Sequence, residues 1–280
     1  MDGTEQRILE RIAQWPVDGA SAAVVSGSGT LATYGDVTRV FPLASVTKLL
    51  VAYAVLIAVE EGAIELDQPA GPDGSTVRHL LAHASGLAFG ENVVQSPPET
   101  KRIYSSAGFE VLADLVAGES GIAFPDYLRE AVFAPLGMET AELVGSAGHG
   151  AQASVADLTR FAAELLEPTL IASATYSSAV SVQFPGLDGL LPGYGRQRPN
   201  DWGLGFELRG TKDPHWTGSS NSQQTFGHFG QSGTFLWVDP AVQTALVVLT
   251  DRDFGDWAKP LWPALSDAVL TGAAESNRPV

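Results

Sequence analysis

The chain has 280 residues, 45% of them hydrophobic and 17% charged, which describes an ordered globular protein long enough to bury a large core as one big domain or two interleaved ones. Thirty-two acidic against sixteen basic residues give a formal charge of -16, which repels nucleic acid and anionic membrane surfaces. The absence of cysteine excludes a thiolate nucleophile, thiolate metal sites and disulfides.

Residues 1–6 are acidic and polar, without the basic and apolar segments of a signal peptide, so a cytoplasmic location is expected. Residues 5–15 read as a short amphipathic helix, with Ile8, Leu9 and Ile12 on one stripe and Pro16 as its end. Residues 20–25 and 30–34 read as two strands around a Ser26-Gly27-Ser28-Gly29 hairpin turn. Residues 45–61 are apolar on nearly every side, which predicts a central, buried helix stopped by Gly62. Its longest apolar run, 49–59, is about half the ~20 residues of a bilayer span.

Further helices are predicted over 77–83, over 106–117 with Gly118 closing it, over 124–133, and from Ser154 to 166. Ser154-Val155-Ala156-Asp157 has the N-cap plus acidic N3 arrangement. Residues 172–200 are rich in Gly, Pro and Ser and read as loops with short elements. Strands return at 203–208, 233–238 and 244–249, and 256–270 closes the chain as a helix kinked at Pro260 and Pro263. Strands at both ends with helices between them predict an α+β fold. Its sheet subdomain is built from 1–43 and 201–280, and a mainly helical subdomain, 44–200, is inserted.

Three segments carry candidate chemistry. Ser45 and Lys48 stand three residues apart at the start of the apolar run, and on a helix they share one face. A lysine held beside a hydroxyl in a dry site can shed its proton and then accept the serine's. Free N–H groups at a helix start would favour the oxyanion of acyl transfer. The plainer alternative is an N-cap serine with a first-turn lysine reaching water. Tyr104-Ser105-Ser106 precedes the next helix; Tyr104 could relay a proton to a leaving group and Ser106 could bond Lys48 or substrate. The alternative there is a half-buried tyrosine followed by a capping serine. Gly227-His228-Phe229-Gly230-Gln231-Ser232-Gly233 lets backbone run close to a ligand, with the Gln231 N–H offered to a carbonyl oxygen. His228 could orient a substrate carboxylate or support the tyrosine, or be a surface histidine in a turn.

No G-x-S-x-G elbow and no H-E-x-x-H occur. His79 and His83 form the single i,i+4 histidine pair and lack a third zinc ligand, so structural hydrogen bonds are expected of them and no metal. No phosphate-binding glycine loop precedes a helix, so no cofactor is expected.

Taken in order, the motifs resemble those of the serine beta-lactamase and penicillin-binding-protein family, in its class C and family VIII esterase branch. Ser45-Val46-Thr47-Lys48 is similar to S-x-x-K, Tyr104-Ser105-Ser106 stands where Y-x-N occurs, and His228-Phe229-Gly230 where K-T-G or H-x-G occurs. The segments from Thr76 through Leu87, Phe133 through Met138, Ala153 through Leu158 and Trp202 through Phe206 also resemble family segments. The resemblance implies an antiparallel sheet flanked by helices (an α/β sandwich) and acyl transfer through Ser45, with Lys48 as general base and Tyr104 protonating the leaving group. It implies an oxyanion site at the Ser45 and Gln231 N–H groups, with Ser106, His228, Phe229 and Gly230 binding substrate. Ser106 in place of asparagine and His228 in place of lysine depart from the lactamase pattern. They favour a serine esterase acting on a small carboxylic ester, with a beta-lactamase, a D-amino-acid peptidase or amidase, or an inactive amide-binding protein as alternatives. The expected partner is a small-molecule ester or amide, with no nucleic acid and no membrane; patterning does not give the oligomeric state.

Overall fold

A computed structural model describes residues 3–276; positions 1, 2 and 277–280 of the expected sheet subdomain lie outside them. The chain enters through α1 (Thr4–Leu9), which tightens into a 3-10 turn over Glu10–Gln14 with Ile8, Leu9 and Ile12 turned inward. β1 (Ala20–Ser26) is buried on both faces and pairs with β2 (Gly29–Tyr34) across the expected hairpin. β3 (Val40–Pro42) leads through a single 3-10 turn, Ala44–Val46, into α2 (Thr47–Glu60). Every α2 residue from Thr47 to Ala58 is buried, which is why its sequence has no polar stripe. The helix starts later than its hydrophobic pattern suggests, and Ser45 sits in the turn that precedes it.

α3 (Val77–Leu81) starts at a Thr76–His79 capping box. α4 (Ala107–Ser120) runs past Gly118 and ends at Gly121, whose φ of 72° supplies the left-handed residue that terminates a helix. α5 (Phe124–Leu128) continues into a π-helical turn, Arg129–Phe133. β4 (Glu142–Leu143) and β5 (Ala151–Ser154) join β3 in a small sheet of order β3-β5-β4. α6 (Val155–Leu166) begins where the sequence signals it: Ser154 Oγ accepts the Asp157 N–H at 3.2 Å.

The stretch read as loops holds α7 (Ser173–Ala179) and a hairpin of β6 (Gly189–Leu191) and β7 (Gly195–Gln197). The strand expected over 203–208 shrinks to β8 (Glu207–Leu208). β9 (Phe226–Gly230), β10 (Thr234–Asp239), β11 (Thr244–Thr250) and α8 (Ala258–Ser276), with Pro263 inside it, complete the chain.

The main sheet has the order β2-β1-β11-β10-β9-β8 and is antiparallel throughout. Its strands come from the two ends of the sequence, as expected of an α+β beta-lactamase-like fold. One face packs α1 and α8 over Trp15, Phe235, Trp237 and Trp262. The other packs α6, with α2 meeting β9, over a larger core that includes Leu50, Leu56, Phe161 and Phe206. Each fully buried leucine or phenylalanine there contributes about 1.5–3 kcal/mol. No helix among the described residues is long and apolar enough to cross a membrane.

Candidate active site

Ser45 is presented by a turn clamped from both sides. The Leu43 N–H donates to Ala151 O at 2.9 Å, and the Ala151 N–H donates to Thr47 Oγ1 at 3.0 Å. From the main sheet, Thr234 Oγ1 donates to Leu43 O at 2.9 Å and Ser232 Oγ to Pro42 O at 2.7 Å. The end of β9 packs so tightly here that a Cβ on Gly230 would lie 2.3 Å from Leu43 O. Ala44, next to the serine, holds φ at 46°, a conformation a non-glycine residue adopts only where its surroundings impose it.

Lys48, one α-helical turn further on, is fully buried. Its Nζ donates to Ser106 Oγ at 3.0 Å and to Gly148 O at 2.7 Å, and lies 4.6 Å from the centre of the Tyr104 ring. Burial pushes the amine down to about 7, with the charge of Glu110 opposing the fall. Glu110, on α4, accepts the Gly148 N–H at 3.2 Å and the Ser146 hydroxyl. The Gly148 backbone presses against α4 so closely that a Cβ there would meet Ser106 Cβ at 2.7 Å. Glu110, Ser146 and Gly148 escape a reading of motifs. Their one trace is Gly145-Ser146-Ala147-Gly148-His149-Gly150, where clustered glycines mark a close backbone approach.

Ser45 stands beside Tyr104, close enough for its hydroxyl to act on the phenol. Tyr104 Oη stands 3.2 Å from His228 Nε2, and His228 Nδ1 stands 2.6 Å from Phe229 O. A carbonyl accepts only, so Nδ1 carries the imidazole proton and Nε2 is left to accept from the tyrosine. The Tyr104 hydroxyl therefore donates to His228 and keeps its lone pairs on the side of Ser45. Burial raises the Tyr104 phenol above its ordinary value, against the lowering effect of the Ser45 hydrogen bond. Burial and then the Lys48 charge push His228 down to about 3. The imidazole is a buried, neutral group at pH 7, neither a surface histidine nor a cation for a carboxylate.

His83 brackets Tyr104. Its carbonyl accepts the Ile103 N–H at 3.0 Å, its Nδ1 accepts the Ser105 N–H at 3.1 Å, and its ring lies 4.7 Å from the tyrosine ring. Structural hydrogen bonds are expected of this residue, but the sequence does not signal that they hold the Tyr104 loop. Trp202 lies beneath, 5.8 Å from Tyr104 and 5.5 Å from His228. The Phe229 side chain points to the opposite face of β9, against Phe254 and Trp262, and leaves its carbonyl to fix His228. Tyr194 and Trp216 belong to that opposite core as well. Gln231 is anchored by the Phe254 N–H on its carbonyl at 2.7 Å and by its own Nε2 on Phe254 O at 3.1 Å. Its N–H has no hydrogen-bond partner among the described residues.

Tyr104 also lines a cavity of about 590 Å³, within the size range of small-molecule sites, together with Phe89, Lys101, Asp188, Leu190 and Arg196. Among the described residues no cluster of three or more His, Asp or Glu stands close enough to hold a metal ion.

The beta-lactamase family matches residues 5–270. A crystal structure of a beta-lactamase from Mycobacterium bovis superimposes with a TM-score of 0.94 at 61% identity, covering 95% of this chain and 99% of that one. Simvastatin synthase from Aspergillus terreus shares the fold at a TM-score of 0.77 and 17% identity, over 97% of this chain and 95% of that one. Among curated relatives, penicillin-binding protein 4* of Bacillus subtilis is 27% identical over 131 residues, 35% of this chain and 29% of that protein. A D-aminopeptidase of Cereibacter sphaeroides is 38% identical over 55 residues, 20% of this chain and 11% of that protein. The matches thus span under a third of either curated relative, whereas the family match and the Mycobacterium structure run nearly end to end. The chain belongs to the beta-lactamase family.

Proposed function

We propose that this protein is a serine hydrolase of the class C branch that cleaves a small amide, a β-lactam included, through an acyl-enzyme on Ser45. The observation that carries the reading is the Tyr104–His228 hydrogen bond next to Ser45, beside a buried Lys48 brought down to about 7. Ser45 Oγ attacks the carbonyl carbon as its proton leaves for the neutral Lys48 amine, with the Tyr104 hydroxyl assigned as the relay between them. Burial keeps Tyr104 a phenol, so the tyrosine must pass a proton on as it takes one. His228, at about 3, is too weak a base to keep that proton and serves to fix the phenol's orientation. Lys48, brought down to about 7, is the base assigned to end with that proton; its Nζ lies 4.6 Å from the centre of the Tyr104 ring. The Ser45 and Gln231 N–H groups receive the oxyanion, Tyr104 protonates the leaving nitrogen as the C–N bond breaks, and water then releases the acyl group.

The amide reading draws support from the 61% identical beta-lactamase, and more weakly from the penicillin-binding protein and D-aminopeptidase. Ser106 reaches Lys48 at 3.0 Å, so its shorter side chain still holds the amine. An esterase is the second reading, favoured by the neutral His228 and by the lack of a side-chain amide at position 106 to grip a substrate amide.

Intact-protein mass spectrometry after treatment with an alkyl fluorophosphonate tests both readings. One adduct on the wild type and none on Ser45→Ala is expected; no adduct on folded wild type would end both. A chromogenic cephalosporin should then be hydrolysed with higher kcat/KM than p-nitrophenyl acetate. The reverse ranking would select the esterase.

A further inference from the structure

The cavity beside Tyr104 has two apolar walls that face solvent yet are held in place. Phe89 is 60% exposed, and its carbonyl accepts the Ser106 and Ala107 N–H groups at the start of α4, at 2.7 and 3.2 Å. Its ring lies over Tyr104 at 5.8 Å with an interplanar angle of 27°. Across the cavity Leu190 is 67% exposed on β6. That hairpin is locked to the tyrosine loop: the Arg102 N–H donates to Asp188 O at 2.8 Å, and a Cβ on Gly189 would lie 2.6 Å from Arg102 O. Exposed apolar side chains on fixed backbone around a concavity mark a place where apolar matter binds.

The charge at this mouth runs against the molecule's. The ionisable residues lining it are Lys101, Arg102, Tyr104, Asp188 and Arg196. The Arg102 guanidinium is spent on the carbonyls of Ala82, Gln183, Phe184 and Asn200. Asp188 is shared between Arg196 at 3.0 Å and Arg198 at 3.2 Å. Lys101 is exposed and has no ion pair among the described residues. In a chain of formal charge -16 the rim of this cavity keeps a positive surplus, which draws anions.

Tyr104 lines this cavity and is, in the mechanism above, the group that protonates the departing atom. We infer that the cavity receives the leaving half of the substrate, and that this half is an apolar, flat group carrying a carboxylate. The phenyl face of Phe89 and the Leu190 side chain take the apolar part, and Lys101 with Arg196 takes the anion. The assignment holds only if Ser45 forms the acyl-enzyme proposed above.

Hydrolysis of 4-acetoxybenzoate against its methyl ester tests it. Both release a phenol, and dividing each kcat/KM by the hydroxide-catalysed rate removes their difference in intrinsic reactivity. The carboxylate is expected to be preferred by about three- to ten-fold, the range of a partly exposed ion pair. The preference should fall between about 0.05 M and about 0.5 M salt. It should shrink in Lys101→Gln, which leaves Arg196, and invert in Lys101→Glu, while the methyl ester's rate stays within about twofold, since Lys101 is exposed. Phe89→Ala should lower kcat/KM for both. Calorimetric binding of the products, 4-hydroxybenzoate against methyl 4-hydroxybenzoate, gives the same comparison without turnover. Equal or weaker use of the carboxylate, or Lys101 variants that move both esters together, would overturn the inference. Fluorophosphonate labelling of the same variants separates the two failures: intact labelling without charge preference removes this assignment alone, and no labelling of the wild type removes the acyl-enzyme itself.

Discussion

Glu110 makes no hydrogen bond to Lys48, yet it reaches the lysine in two ways: it holds the Gly148 N–H, whose own carbonyl binds the amine, and its charge favours the protonated form. Glu110→Gln keeps an oxygen to accept from Gly148 and Ser146 and removes the charge. Lys48 should then shed its proton at lower pH. Because the neutral amine is the proton acceptor, the acid limb of kcat/KM should move to lower pH, raising the rate at pH 6 about twofold relative to pH 8. An unmoved limb would show that the Glu110 charge is not felt at the amine. Ser45, Lys48, Tyr104 and His228 are legible in the sequence because each is the reactive side chain of a local pattern. Glu110, Gly148 and His83 are not, because they act through backbone atoms of distant segments; Lys48 and Gly148 are separated by 100 positions.

At the level of elements, the seam between β9 and the Ser45 turn depends on the missing side chain of Gly230. Gly230→Ala must push Leu43 O and Thr234 Oγ1 aside. A shift of about 1 Å in the turn should cost about 100-fold in kcat/KM, and the overpacking about 1–3 kcal/mol in urea unfolding. Normal activity in a folded Gly230→Ala protein would mean the turn is not held by this contact. The long elements were readable: α2 from its unbroken apolar run, α6 from its capping box, β10 and β11 from their β-branched runs. The hairpin of β6 and β7 was not, because three-residue strands take their conformation from the Arg102 backbone they lie against and not from their own composition. The strand expected over 203–208 failed for a related reason: only Glu207 and Leu208 find a ladder partner in β9.

At the level of the molecule, Arg102 ties the helical middle to the 183–200 stretch, with three guanidinium nitrogens on four carbonyls, those of Ala82 and Asn200 buried. A lysine carries the charge but not the planar fork, so Arg102→Lys leaves buried carbonyls unmatched. The loss should be about 3 kcal/mol in equilibrium unfolding; a loss below about 0.5 kcal/mol would mean that water or lysine replaces the fork. The assembly of one sheet from both ends of the chain was legible from where strands recur, whereas the packing of α6 onto β1 and β11 was not, since it depends on which face the crossing segments cover. This arrangement also fixes when the chemistry can begin. Synthesis delivers Ser45 and Lys48 first, but the hydroxyls that grip the Pro42 and Leu43 carbonyls follow those carbonyls by 190 and 191 positions, and His228 comes with them. Until then the hydroxyl is an ordinary alcohol, so a nascent or truncated chain is spared from attacking its neighbours, and reactivity is a property of the finished polypeptide.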